Sequence, residues 1–173
     1  KYSKQLKALQ GQVDLVAGGP PCQGFSMAGK RVADDIRNQL VFSYIRFIDH
    51  VKPKMILFEN VKGFTYAFKK NKNDNTRPYS QIVVGELEKL GYDVRPHVID
   101  FSEYGVPQRR KRFILVGIKK ELNRSASEFE SLLKDKRESF LKKKNLSITT
   151  TLEEAISDLL RSYGETPSCD RKG

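Results

Sequence analysis

The 173-residue chain contains little cysteine, only Cys22 and Cys169, and these two do not form a CxxC pair. This pattern supplies neither a disulfide framework nor a zinc site, and it favours a reducing compartment such as the cytoplasm. No apolar run approaches the roughly 18 residues that a membrane-spanning helix needs. His50 and His97 have no spaced partners and are interpreted as structural. The sequence therefore predicts no membrane and no metal.

Acidic residues are also scarce relative to basic ones. Lys and Arg number 32 against 21 Asp and Glu, which gives a net charge of +11 and an isoelectric point near 9.6. An excess of this size favours a polyanionic partner, because clustered cations release counterions from a phosphate backbone. A basic surface without a nucleic-acid partner is the alternative at this point.

The apolar segments of the first third predict a βαβ unit. Val13 to Gly19 (VDLVAGG) and Met55 to Glu59 (MILFE) have the pattern of buried parallel strands. Between them, Asn38 to Val51 carries a broad apolar face typical of a helix, which Lys52-Pro53 ends. The short joints predict a parallel strand pair with a right-handed crossover.

The rest of the chain predicts a third helical stretch, a strand hairpin and two final helices. Tyr79 to Leu90 has one apolar side and is expected to be helical. Tyr92 to Phe101 and Arg112 to Ile118 follow as strands. About ten residues separate them, too few for a helical crossover, so they are expected to pair antiparallel. The final predicted helices are Ser125 to Lys144 and Thr151 to Leu160.

These elements predict an α/β fold, a partial doubly wound and mostly parallel Rossmann-like sheet with an antiparallel terminal hairpin. No GxGxxG turn follows any predicted strand. The half of such a fold that binds a nucleotide-like cofactor is therefore not expected in this chain. Residues 1–162 are interpreted as the central portion of one domain and residues 163–173 as a loose tail.

Chemically active side chains are predicted at one edge of the sheet. Cys22 follows the first strand, Glu59 ends the second, and Gln108 to Arg112 lie just before or at the start of the last strand. Open α/β sheets place their sites at the carboxyl ends of the strands, and an antiparallel last strand begins at that same edge. A thiol, a carboxyl, an amide and guanidinium groups are therefore expected to converge.

Each of these residues also has an ordinary structural interpretation. A single cysteine is more often an inert buried residue than a nucleophile. Pro20-Pro21, with glycines nearby, instead indicates a fixed loop around Cys22. Glu59 could cap a helix, and the basic run from Arg109 to Arg112 could form a solvated patch. Because an apolar strand follows this run directly, we expect some of its basic side chains to be held in fixed positions.

Three motifs, in this order, resemble those of the DNA cytosine-5 methyltransferases. GGPPCQGFS (Gly18 to Ser26) is similar to the family's catalytic-cysteine motif, and FENV (Phe58 to Val61) to its glutamate motif. YGVPQRRKR (Tyr104 to Arg112) is similar to the Gln-x-Arg-x-Arg motif. The further similar segments are RNQL (Arg37 to Leu40), LEKLGYDV (Leu87 to Val94) and TLEEAISDL (Thr151 to Leu159).

The resemblance implies a class I methyltransferase fold and a role for each matched residue. Cys22 would attack C6 of cytosine as a thiolate, and Glu59 would hydrogen-bond or protonate N3. Arg112 would bind O2, while Arg110 would help to position the base and the cysteine loop. The implied substrate contacts are Gln23, Ser26, Asn60, Val61 and Gln108, and the implied cofactor contacts are Pro21 and Leu40.

The implied partners are double-stranded DNA and S-adenosylmethionine, which methylates C5 of a cytosine flipped out of the duplex. Three features of the family are not found in this sequence: its Phe-x-Gly-x-Gly cofactor loop, the acidic residue for the ribose and the target-recognition region. The chain is therefore expected to be the central part of a larger or split enzyme, inactive without the remainder. A bacterial or phage source, a nucleoid-associated cytoplasmic location and a restriction–modification role are also expected.

Three other functions are open at this stage. A tRNA cytosine-5 methyltransferase has the same core motifs. An inactive nucleic-acid-binding remnant would keep the basic surface without the chemistry. A thiol hydrolase would need a histidine near Cys22 with an orienting Asn or Asp, and neither His50 nor His97 is predicted at the edge that carries the thiol.

Overall fold

The computed structural model describes residues 3–21, 39–67, 77–148 and 150–159. Helices and strands alternate along this part of the chain, as expected for a mixed α/β fold, which is confirmed. In chain order they are α1 (Ser3–Ala8), β1 (Leu15–Gly18), α2 (Gln39–Val51), β2 (Met55–Val61), α3 (Tyr79–Lys89), β3 (Tyr92–Asp100), β4 (Lys111–Lys119), α4 (Glu128–Lys144) and α5 (Leu152–Ile156). The chain divides into two compact units, residues 1–99 with 111–134 and residues 100–110 with 135–173.

The four strands form one sheet in the order β1-β2-β4-β3. β1 pairs parallel with β2, so that Gly18 lies beside Phe58, and β2 pairs antiparallel with β4, so that Val61 lies beside Arg112. A backbone hydrogen bond from the Lys120 N–H to the Gly91 oxygen, 3.1 Å long, joins one end of the β3–β4 pair. The parallel pair and the hairpin are confirmed. Because β2 and β4 also pair antiparallel, the antiparallel part of this four-stranded sheet is larger than expected.

The two N-terminal strands are less buried than the sequence predicts. Leu15 of β1 is 49% exposed, because β1 has a described neighbour on one side only. In β2, Ile56, Phe58 and Asn60 are buried while the residues between them are half-buried, as in a sheet with one covered face. The prediction of buried strands is therefore wrong for β1 and holds for only one face of β2 among these described residues.

Aromatic and aliphatic side chains cover the buried face of β2 and β4. Phe58 lies edge-on to Phe113 at 6.2 Å between ring centroids, and Phe64 packs on both rings at 5.4 Å. Helices α2 and α3 contribute five further buried residues to this cluster, Val41, Ile45, Ile48, Val83 and Leu87. Burial of these apolar side chains provides the main stabilisation of the unit that carries β2.

α4 begins three residues later than the sequence predicts, at Glu128 instead of Ser125. The carboxylate of Asp93 accepts hydrogen bonds from the Ser125 hydroxyl and the Ala126 backbone N–H, both at 2.9 Å, and holds these residues in a turn. The last helix, α5, is also shorter than predicted. Its start is confirmed by a capping box between Thr151 and Glu154, which satisfies N–H groups that a helix leaves unpaired.

The second unit contains the loop between β3 and β4. Asp100 begins a 3-10 turn by accepting from the backbone N–H of Ser102 at 3.2 Å. Gly105 ends this turn with φ of +80°, a conformation that L side chains rarely adopt. A Cβ at Gly105 would also lie 2.8 Å from the Cβ of Leu146. The loop therefore packs closely on Leu146 within its own unit.

Asp93 provides a test of how the first unit is stabilised. Its carboxyl has a pKa below the ordinary value, chiefly because the Ala126 N–H donates to it, with the Ser125 hydroxyl and Arg95 adding to the effect. A carboxyl with a lowered pKa stabilises the fold above its unfolded-state pKa of about 3.9, and this stabilisation is lost as the pH falls. We expect Asp93→Ala to lower the free energy of unfolding by about 1 kcal/mol at pH 7.

The measurement is chemical denaturation at pH 7 and again at pH 3. The difference between wild type and Asp93→Ala should shrink at the lower pH. Asp135→Ala, which removes an exposed carboxylate from α4, is the control and should have little effect. An equal loss of stability at both pH values would contradict an electrostatic role for Asp93.

Candidate active site

The ends of β1 and β2 bring the segment before Cys22 next to Glu59. Parallel pairing sets Gly18 beside Phe58. One residue further, a Cβ at Gly19 would lie 3.0 Å from the Oε2 atom of Glu59 and 3.3 Å from its backbone oxygen. The chain that leaves β1 therefore passes directly over Glu59, and any side chain at Gly19 would crowd the carboxylate.

Glu59 and Arg112 form an ion pair at this edge of the sheet. The Nε atom of Arg112 lies 3.0 Å from the Oε1 atom of Glu59. Antiparallel pairing places Arg112 opposite Val61, two residues beyond Glu59, so the two charged side chains are diagonal neighbours on one face. Their side chains are 46% exposed for Glu59 and 19% for Arg112. The carboxylate is thus open to an incoming ligand while the guanidinium beside it is largely enclosed.

Asn60 points to the opposite, buried face and is 1% exposed. Its Nδ2 group donates to the backbone oxygen of Pro20 at 3.3 Å, and its Oδ1 atom accepts from the backbone N–H of Val61 at 2.9 Å. Buried amides stabilise a fold when their polar atoms are satisfied in this way. Asn60 therefore joins the end of β2 to the proline pair that precedes Cys22.

The structure brings some of the predicted site residues together within one unit. Glu59, Asn60, Val61, Arg112 and the residues up to Pro21 belong to one unit and lie at one sheet edge. Three predicted residues, Cys22, Gln23 and Ser26, lie outside the described residues. Gln108 and Arg110 are exposed and belong to the second unit, within which their loop ends beside Phe101 through a 3.0 Å bond from the Phe101 N–H to the Arg110 oxygen.

Two predicted cofactor contacts, Pro21 and Leu40, are exposed. Leu40 lies in the first turn of α2 with 42% of its surface accessible, and Pro21 is the last described residue after β1. Both are apolar, so they fit contacts with an uncharged part of a methyl donor. Their side chains cannot form hydrogen bonds with its polar groups, because neither side chain has a polar atom.

The described residues were also compared with the requirements of a metal site and of a membrane-spanning helix. Within ranges 3–21, 39–67, 77–148 and 150–159, no cluster of three or more His, Cys, Asp or Glu side chains is arranged to hold a metal ion. None of the helices in those ranges is both long enough and apolar enough to cross a membrane.

Nearly the whole chain matches a known protein family. The family described as C-5 cytosine-specific DNA methylase matches residues 2–171 of the chain. The chain belongs to this family. The resemblance that the three sequence motifs indicated is thereby confirmed.

Curated relatives within the C-5 cytosine-specific DNA methylases are bacterial Type II methyltransferases. The chain is 46% identical to M.XorII of Xanthomonas oryzae pv. oryzae over 112 residues, which cover 64% of this chain and 25% of the relative. It is 35% identical to M.DdeI of Desulfomicrobium norvegicum over 156 residues, which cover 89% of this chain and 34% of the relative. The matched region thus spans about a quarter to a third of the length of these relatives.

Among solved structures, the Entamoeba histolytica methyltransferase EhMeth is similar to this C-5 methylase chain with a TM-score of 0.49 and 24% identity. The similarity covers 67% of this chain and 34% of the EhMeth chain. A similarity of this size carries no conclusion about function.

Sequence reasoning missed the contacts that shape this edge of the C-5 methylase chain. It did not predict the ion pair between Glu59 and Arg112, nor the bond from Asn60 to Pro20. It also missed Tyr44, whose ring atom Cε2 would lie 2.7 Å from a Cβ at Gly18. The adjacent glycines at the end of β1 were the available signal, because glycine in a strand often marks a close approach of other atoms.

Asn60 should be required for the stability of this edge. Replacement by alanine leaves the Val61 N–H without its side-chain acceptor and frees the Pro20 oxygen, so we expect Asn60→Ala to lower the free energy of unfolding by about 1–3 kcal/mol. Chemical denaturation measures the loss, and hydrogen exchange at the Gly19 amide should become faster.

Gln81→Ala is the matched control, since it removes an exposed amide from α3. We expect this control to change the free energy of unfolding by no more than about 0.5 kcal/mol. If Asn60→Ala is as stable as Gln81→Ala and exchanges at the wild-type rate, the bond to Pro20 does not hold the segment before Cys22.

Proposed function

We propose that the chain carries the nucleophile half of the active site of a DNA cytosine-5 methyltransferase. The observation that supports this most directly is the Glu59–Arg112 ion pair at 3.0 Å, beside the segment that leads to Cys22. Membership in the C-5 cytosine-specific DNA methylases gives the substrate class. The Type II relatives support a restriction–modification context.

In the proposed mechanism the thiolate of Cys22 attacks C6 of a flipped cytosine. C5 of cytosine is a weak nucleophile, and the new S–C6 bond moves the electron pair of the 5,6 double bond toward C5 and the ring edge. C5 then forms a bond to the incoming methyl group. A base removes the C5 proton, the 5,6 double bond re-forms, and Cys22 departs as a thiolate. S-Adenosylmethionine, when bound, would supply the methyl group, whose bond to sulfur breaks so that a neutral thioether is left behind.

Glu59 and Arg112 match the edge of cytosine on which negative charge develops. N3 and O2 are neighbouring acceptors on that edge, so two neighbouring donors are required. Arg112 donates from its guanidinium to O2, and Glu59, once protonated, donates to N3. Without substrate, the two side chains bind each other. The base therefore replaces one side of an existing ion pair, and the guanidinium is already oriented when it arrives.

The other predicted residues have supporting roles in this proposal. Pro21 and Leu40 contact an apolar part of the methyl donor, and both have exposed surface for this purpose. Asn60 holds the proline pair by its bond to Pro20. The remaining roles are proposed on resemblance, with Gln23, Ser26, Val61 and Gln108 near the base and Arg110 as a second guanidinium.

We propose that the complete enzyme contains more than these residues. The matched region spans 25% of M.XorII and 34% of M.DdeI, which supports a cofactor-binding half and a target-recognition region as covalent or separate partners. Residues 1–162 then form the central portion of the catalytic domain, and residues 163–173 lead toward target recognition. The net charge of +11 suits duplex DNA, which the enzyme would methylate in the bacterial or phage-infected cytoplasm.

Trapping of the covalent adduct tests the proposed nucleophile. The complete enzyme, with its cofactor-binding half and target-recognition region, is incubated with S-adenosylmethionine and random-sequence duplexes. In these duplexes 5-fluorocytosine replaces cytosine. Fluorine at C5 prevents removal of a proton, so the adduct persists. We expect a denaturation-resistant protein–DNA adduct that Cys22→Ser abolishes. Cys169→Ser is the control and should form the adduct at the wild-type rate. Methyl transfer by Cys22→Ser at the wild-type rate would overturn the mechanism.

Arg112 should act on the chemistry more than on DNA affinity. Arg112→Ala removes the donor proposed for O2 and leaves Glu59 without its ion pair, so we expect the adduct to form about 100-fold more slowly. Binding to nonspecific duplex DNA should fall by less than about tenfold, as for the loss of one phosphate contact.

Arg109→Ala is the matched control for Arg112→Ala, because it removes the same charge from an exposed residue nearby in the sequence. We expect it to weaken DNA binding slightly and to leave the rate of adduct formation at saturating DNA unchanged. If Arg112→Ala and Arg109→Ala lose affinity and adduct rate in the same proportion, Arg112 is a phosphate contact and not part of the catalytic machinery.

A further inference from the structure

We propose that Tyr44 is a positioning residue that sets the spacing between the two strand ends leading to Cys22 and Glu59. Tyr44 lies on α2 and is not part of any motif that carries the family resemblance. The inference rests on the proposed roles of Cys22 and Glu59. It concerns a side chain that need not touch the substrate.

The ring of Tyr44 packs directly on the backbone of Gly18. A Cβ at Gly18 would lie 2.7 Å from ring atom Cε2 and 3.2 Å from Cδ2. The first distance is shorter than real Cβ contacts allow, so the end of β1 can take this position only because residue 18 lacks a side chain. Gly18 precedes Cys22 by four residues. The ring therefore limits how the segment that carries the thiol leaves the sheet.

The same ring also contacts the strand that carries Glu59. Tyr44 packs edge-on against Phe58 with ring centroids 5.3 Å apart, and Phe58 is the residue directly before Glu59. Phe58 is completely buried and is the register partner of Gly18. One rigid aromatic ring thus touches both neighbouring positions from which the two proposed reacting groups extend.

The hydroxyl of Tyr44 adds a weaker link between the same strands. Its oxygen lies 3.4 Å from the backbone oxygen of Val16 in β1 and 3.4 Å from that of Leu57 in β2. One O–H has one proton, so it donates to either carbonyl in turn, and both contacts are long. Burial, with a smaller contribution from Tyr92, raises the pKa of Tyr44 well above its ordinary value. The hydroxyl therefore stays a neutral donor throughout the pH range of an activity measurement.

These contacts predict that the ring acts on the rate of attack and not on DNA binding. A shift of about 1 Å in a reacting group can reduce a rate by about 100-fold while leaving the overall fold intact. Tyr44 contacts the two segments on the covered face of the sheet, whereas Glu59 and Arg112 lie on the other face. Its replacement should change the distance between the thiol and the carboxyl without removing a group that binds the base or a phosphate.

The test is the rate of adduct formation with 5-fluorocytosine duplexes. It is measured on the complete enzyme at saturating DNA and S-adenosylmethionine. The variants are Tyr44→Leu, Gly18→Ala and the double variant Gly18→Ala/Tyr44→Leu. Tyr92→Leu is the matched control, because Tyr92 is a buried tyrosine whose hydroxyl donates to the Pro53 oxygen at 2.7 Å, before the start of β2. The dissociation constant for DNA and the unfolding temperature are measured for each variant.

We expect Tyr44→Leu and Gly18→Ala each to slow adduct formation about 10- to 100-fold, with DNA affinity within about twofold of wild type. Gly18→Ala should have little further effect once the ring is absent, because the close contact is with ring atoms. Tyr92→Leu should keep the wild-type rate despite an unfolding temperature lowered as much as that of Tyr44→Leu. If a leucine variant is unfolded at the assay temperature, Tyr44→Met and Tyr92→Met replace the pair, because methionine also removes the ring but fills more of its volume, and the same slowing is expected for Tyr44→Met alone.

Three results would overturn the proposal. Wild-type rates in Tyr44→Leu and Gly18→Ala, or in Tyr44→Met where it is used, would show that the ring does not position the reacting groups. Equal slowing in the Tyr44 and Tyr92 variants would show a general loss of stability. Absence of an adduct in wild type would refute the proposed function itself, and the role of Tyr44 with it.

Discussion

The hydrogen bonding of β2 to a strand on each side is the constraint on which the candidate site depends. On one side the parallel register sets Gly18 beside Phe58, and on the other the antiparallel register sets Val61 beside Arg112. Residues from three distant parts of the chain therefore meet at one edge of the sheet. No side-chain interaction at the site could assemble these residues without that register, because each is more than 30 residues from the next along the chain.

The alternation of side chains along β2 protects this register. Phe58 and Asn60 face the buried side, whereas Glu59 faces the other and pairs there with Arg112. A slip of one residue would turn Glu59 into the cluster that contains Phe64 and Phe113 and would expose Phe58. Burial of an unpaired carboxylate costs far more than the loss of a surface contact. The hydrophobic core thus determines which face carries the acid, and the ion pair with Arg112 follows from the diagonal relation of the two strands.

The sequence predicted what depends on short-range pattern and missed what depends on long-range contact. Strand ends, helix caps and the length of the β3–β4 connection are local properties, and they placed Glu59 and Arg112 at one edge. The bond from Asn60 to Pro20 spans 40 residues and has no periodicity to reveal it. The exposure of β1 depends on what lies beside it in the sheet, which its own apolar residues do not specify. The start of α4 differs from the predicted one for the same reason, because Asp93 on β3 holds Ser125 and Ala126 in a turn.

The two glycines before the proline pair have different physical reasons to lack a side chain. Successive residues of an extended segment point to opposite faces of a sheet. A Cβ at Gly18 would meet the ring of Tyr44 on the covered face, and a Cβ at Gly19 would meet the carboxylate of Glu59 on the other. The backbone at the end of β1 is thus enclosed from both faces, and the amide of Asn60 binds the Pro20 oxygen one residue later. Three contacts of different chemistry therefore fix the course of the chain up to the residue before Cys22, where proline limits its freedom further.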